Sequence, residues 1–125
     1  MPLDPDRIDF MPSPPTSPDD IPIDIGHLGR MTLGDASLER QVLAMFSAQT
    51  DSLIGALTAL PADAAALAHK LKGSARAIGA FRLADAAHRL EAAIQNGAAP
   101  AKPLGDLADA VAQARSAVEA MLRRS

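Results

Sequence analysis

The chain contains no cysteine, no tryptophan and no tyrosine, and three phenylalanines are the only members of that aromatic set among 125 residues. Without cysteine there is no disulfide framework, no thiolate metal site and no thiol redox chemistry. The shortage of aromatics counts against β-sheets, which favour aromatic and β-branched side chains. No uninterrupted apolar run is long enough to span a membrane, and the acidic, proline-rich N-terminus does not resemble a secretory signal. The 12 Lys and Arg against 15 Asp and Glu leave a net charge of −3, which argues against nucleic acid as a partner of the whole chain. These absences predict a cytoplasmic protein with neither a membrane nor a nucleic-acid partner.

What remains is a chain that is 48% hydrophobic and built from Leu, Ile, Val, Met and Ala, a composition suited to close helix packing. Its length allows one domain and a tail. Seven of the ten prolines lie in the first 22 residues, mixed with Asp and Ser. Proline fixes φ and removes a donor, so residues 1–20 are predicted to be a disordered leader, with the domain occupying residues 21–125.

The domain reads as all-α. Residues 24–32 suggest a short helical turn, in which His27 has no ligand partners nearby and is read as surface or packing. Gly34 and Asp35 make a stop and an N-cap before a long helix over residues 36–60. Its inward stripe is predicted to hold Leu38, Val42, Met45, Phe46, Gln49, Leu53, Leu57 and Leu60. Pro61 and Asp63 open a second helix over 62–78. Gly79-Ala80 separates it from a third over 81–96, with Leu83, Ala87, Leu90 and Ile94 inward. Asn96-Gly97 ends that helix, and Pro100 and Pro103 bar its continuation. A last helix over 103–123 buries Leu104, Leu107, Val111, Ala114, Val118 and Leu122 or Met121. Four amphipathic helices with short connections predict an antiparallel four-helix bundle behind a short N-terminal helix.

The second helix carries the chemistry. At about 100° per residue, Leu67, Leu71, Ser74 and Ile78 fall on one stripe, while His69, Lys72, Gly73 and Arg76 point to the opposite side. His69 is therefore predicted to be exposed among cations. Gly73, one turn on, costs roughly 1 kcal/mol against alanine in a helix and would leave room for a close approach. The following helix presents Ala84, His88, Glu91 and Gln95 as a polar flank. A short turn makes the two helices adjacent, so a carboxylate there can accept a hydrogen bond from Nδ1–H of His69. The Nε2 lone pair then points outward. Such an imidazole is a nucleophile of fixed direction, and a phosphoryl group is its natural electrophile among cations. Residues 61–96 carry Lys70, Lys72, Arg76, Arg82 and Arg89 against Asp63, Asp85 and Glu91, so the surroundings are basic.

His69-Lys70-Leu71-Lys72-Gly73-Ser74-Ala75, followed by Gly79-Ala80, closely resembles the signature of histidine phosphotransfer (HPt) domains of multistep phosphorelays. The resemblance spans residues 24–123 and includes Phe46, Gln49 and Leu90-Glu91. It implies that His69 accepts the phosphoryl group, that Lys72 is the cation beside it and that Gly73 gives clearance. Glu91 and His88 match positions in the phosphotransfer domain of the chemotaxis kinase, which implies that Glu91 holds the imidazole. The implied partners are receiver domains of hybrid histidine kinases and of response regulators. They bring the Mg²⁺ and most of the catalytic groups, so no cofactor is expected on this chain itself. Lys70, Arg76, Gln95 and Arg82 are the candidate partner-binding residues. The chain is too short to add an ATP-binding domain, so a phosphotransfer intermediate is expected and not a kinase. The alternative is a helical module that binds a receiver or kinase and regulates it without carrying phosphate.

Overall fold

The computed structural model describes residues 22–124. The expected leader, residues 1–20, and the domain boundary at Ile21 lie outside the described residues. Five helices follow one another: α1 (Ile25–Met31), α2 (Ala36–Thr58), α3 (Ala64–Ile78), α4 (Phe81–Gln95) and α5 (Ala101–Arg124). There is no strand among the described residues. Helix α2 packs on α3, α3 on α4, α4 on α5, and α5 back on α2, which closes an antiparallel four-helix bundle; α1 lies against α3. No described helix is long and apolar enough to cross a membrane.

The helix ends follow local chemistry. Asp24 caps α1 by accepting from the His27 amide at 3.0 Å, and Asp35 caps α2 by accepting from the Leu38 amide at 3.1 Å. Gly79 ends α3 in the left-handed conformation at φ +88°. The Ala80 amide then donates to the Ala75 carbonyl and the Gly79 amide to that of Arg76. This is the closure a glycine C-cap provides. At the end of α1 the expected stop at Gly34 is shared, because Leu33 itself takes a left-handed φ of +55°. Helix α5 starts at Ala101, two residues before the expected start. Pro103 sits in its first turn, where a missing N–H leaves no bond unmade.

The core corrects the expected stripes. In α2 the buried residues are Leu43, Phe46, Thr50, Leu53 and Leu57. Leu38, Met45 and Leu60 are exposed, Met45 by 72%, and Val42 and Gln49 are only half-buried. The helix carries two parallel apolar rows and turns one of them to the core. In α3 the buried row is Ala64, Ala68, Leu71, Ala75 and Ile78, with Leu67 and Ser74 half-buried at its edge. In α4, Leu83, Ala87 and Leu90 are buried as expected, joined by Ala84 and Ala86, while Ile94 is half-buried. Leu107, Val111, Ala114 and Val118 of α5 are buried together with Ala110, while Leu104, Met121 and Leu122 are half-buried.

Nine of the 22 core residues are alanines, seven of them in α3, α4 and the turn between. Small side chains along that seam leave little bulk between the two backbones, which favours close helix packing. Across that seam polar side chains of α3 reach one on α4.

Candidate functional site: an exposed imidazole over a buried carboxylate

His69 stands on the outer edge of α3 with its side chain 65% exposed. Its Nδ1 lies 2.9 Å from Oε2 of Glu91 on α4. On the polar flank expected of α4, Glu91 and Ala84 are buried, while His88 and Gln95 are exposed. The other carboxylate oxygen, Oε1, accepts from Lys72 Nζ at 2.8 Å. Lys72 also lies 3.4 Å from Nδ1 of the exposed His88.

Two donors on one carboxylate fix its charge. The Lys72 hydrogen bond is the largest influence and holds the Glu91 carboxyl below its ordinary value; burial opposes this, and the His69 hydrogen bond adds to the lowering. An ionised carboxylate can only accept, so Nδ1 of His69 must carry the proton. In the neutral ring the lone pair is then at Nε2, on the solvent side, where no described residue bonds it. An ammonium can only donate, so in the contact with His88 the Nδ1 atom stands as the acceptor.

Lys72 departs from the sequence expectation in its surroundings. Its side chain is only 12% exposed and turned into the α3–α4 seam, because the buried carboxylate draws the ammonium inward. Gly73, one turn beyond His69, is exposed, and a Cβ there would meet nothing within 4 Å. Gly55 in α2 and Gly105 in α5 also face open space. What distinguishes Gly73 is its place beside the imidazole.

The structure gathers some of the remaining candidates and separates others. Lys70 and Arg76 are exposed on α3 on either side of Gly73. Gln95 is exposed one turn beyond Glu91, at the end of α4. Arg82 lies elsewhere. Nine residues before Glu91 places it about 180° round α4, and it lines a groove of about 480 Å³ with Arg89, Asp106 and Asp109 on the α4–α5 side. It is therefore not part of the surface around His69.

The sequence reading missed one feature. Val42, Met45 and Gln49 of α2 face Ser74 and Ala77 of α3 across an apolar groove of about 380 Å³. The signal was present as a second apolar row on α2, but it was assigned to the core.

His27 has a packing role, as expected. Its Nε2 lies 3.1 Å from the Ala77 carbonyl, and its ring meets Phe81 edge-on at 5.2 Å. No group of three or more His, Cys, Asp or Glu suited to a metal occurs among the described residues.

A family model for the Hpt domain matches residues 41–123, which takes in α3 and α4 whole, α5 but for its last residue and all but the first turn and a half of α2. No curated protein and no solved structure matches the chain. The match covers about two thirds of the sequence, and the helical bundle is compatible with it; this chain belongs to the Hpt domain family, the histidine phosphotransfer modules of phosphorelays.

Proposed function

We propose that His69 is the phospho-accepting residue of this chain, and that it takes a phosphoryl group from an aspartyl phosphate on one receiver domain and passes it to an aspartate on another. The observation that carries this reading is the Nδ1–Glu91 hydrogen bond of 2.9 Å beneath a ring that is 65% exposed. It leaves one nitrogen nucleophilic and aimed outward.

In the forward step the Nε2 lone pair attacks phosphorus. The N–P bond forms as the P–O bond to the partner's aspartate breaks, and the electron pair of that bond leaves with the carboxylate. The proton on Nδ1 stays in place, and the positive charge that develops on the ring faces the Glu91 carboxylate. Onward transfer reverses these changes on a second aspartate. Lys72 keeps Glu91 ionised and correctly turned, and Gly73 leaves room for the incoming group. The α2–α3 groove, with Met45 at its rim, offers apolar surface for the receiver. The metal and the acidic groups that bind it belong to the receiver, and the exchange takes place in the cytoplasm.

The test is to incubate the chain with phosphorylated receiver domains and follow acid-labile phosphate. His69→Gln should abolish uptake while leaving the fold intact, at a cost of about 1 kcal/mol for the altered hydrogen bond to Glu91. Uptake that survives this substitution would overturn the assignment. Tight receiver binding without uptake by the unaltered chain would point instead to a module that regulates without carrying phosphate.

A further inference from the structure

The cations near His69 are not equivalent. The charge of Lys72 is matched by Glu91, and its side chain is turned into the α3–α4 seam, 12% exposed. Lys70 and Arg76 are exposed, and neither has an ion pair or side-chain hydrogen bond with a described residue.

Helical phase separates these two. Lys70 follows His69 by one residue and lies about 100° round the helix, where neighbouring side chains do not face each other. Arg76, seven residues on, returns to within about 20° of the His69 line, roughly 10.5 Å further along the axis. Between them stands Gly73, where even a Cβ would meet nothing within 4 Å. Helical side chains lean toward the N-terminus, so a side chain at Arg76 has the reach to extend back over the glycine toward the imidazole.

We propose that Arg76 is a catalytic residue of the transfer. In the transfer its guanidinium enters the open space over Gly73 and contacts the phosphoryl oxygens as the group joins or leaves Nε2 of His69. This rests on the phosphotransfer reading and assigns the free positive charge at the site to a residue other than Lys72. A transferring phosphoryl group spreads its charge over three equatorial oxygens. A planar guanidinium with paired donors matches such oxygens better than an ammonium does. The competing role for Arg76 is electrostatic support of α3, since it lies in the last turn, where a cation complements the helix dipole.

Phosphorylation of the full chain by phosphoramidate, with no receiver present, separates these roles. In this reaction Nε2 forms the N–P bond while the donor's own P–N bond breaks and ammonia leaves. Arg76→Gln should slow phosphate incorporation at His69 by about tenfold or more, the scale of losing one charged donor to the transition state. Arg76→Lys should recover part of that loss, and Lys102→Gln, at an exposed cation on α5 away from the site, should stay within about twofold of the unaltered rate. An unchanged rate in Arg76→Gln, with only a lowered melting temperature, would leave the dipole role and overturn the proposal. Should Arg76→Gln lose its helical signal, Arg76→Lys decides: the full unaltered rate there overturns the contact. If the unaltered chain accepts phosphate from phosphoramidate but from no receiver, the relay reading fails while the Arg76 contact stands.

Discussion

Gly73 separates stability from function at the level of a single residue. An interior helical glycine carries a conformational cost that alanine does not, and here nothing surrounds the missing side chain. Gly73→Ala should therefore stabilise the bundle by about 1 kcal/mol, read as a raised melting temperature or denaturation midpoint. Gly73→Gln should also be tolerated by the fold, yet slow transfer from a receiver, because its side chain fills the space beside Nε2. Gly55→Ala supplies the control: the same exposure in another helix, a similar gain in stability and no change in transfer. Equal transfer rates for Gly73→Gln and Gly55→Ala would show that the space beside His69 is not used. The sequence made the exposure of both His69 and Gly73 legible, because they share a polar stripe. It did not make Lys72 legible in the same way. Phase places that lysine outward, but a long flexible side chain follows the nearest buried carboxylate, and burial of Glu91 is a property of two helices together.

At the level of elements, the site depends on how closely α3 and α4 approach and on the angle at which they turn into each other. Helix count, order and most boundaries were readable from caps, prolines and glycines, since these act through local backbone chemistry. The faces of α2 were not, because two apolar rows of similar strength run along it and only the neighbouring helices decide between them. Buried alanines were likewise underweighted: they contribute little to an apolar pattern, yet they set the spacing of the α3–α4 seam. The turn between those helices is held from outside as well. The Asp24 amide donates to the Gly79 carbonyl at 2.9 Å, and a Cβ on Gly79 would come within 2.9 Å of the Asp24 carbonyl oxygen. Gly79→Ala then incurs both the left-handed backbone penalty of about 1–2 kcal/mol and a backbone clash. The expected outcome is a loss of at least about 1 kcal/mol in stability, with the amides of α1 among the first to lose hydrogen-exchange protection. Wild-type stability in this variant would show that the turn has another conformation of similar energy.

For the whole molecule, the polar content of the interior is small: among the described residues only Thr32, Thr50 and Glu91 are buried polar groups, and Glu91 alone is charged. The bundle thus keeps one carboxylate under cover and directs it to the functional imidazole, which ties folding stability to the same group that orients His69. The folded state holds the Glu91 carboxyl below its ordinary value, chiefly through Lys72. A group whose folded value is depressed contributes stability above its unfolded value and loses it as pH falls through the folded one. The contribution should therefore be complete above about pH 5 and fade on further acidification. Glu91→Gln removes the charge and leaves Lys72 without its ionic partner, at a cost of about 1–3 kcal/mol at neutral pH. Melting curves of the two chains, recorded from pH 7 downward, should approach each other as the wild-type carboxyl takes up its proton. Parallel curves through that range would mean that the carboxylate is not coupled to the fold, and the Nδ1 proton would then lack the acceptor that fixes the direction of the nucleophile.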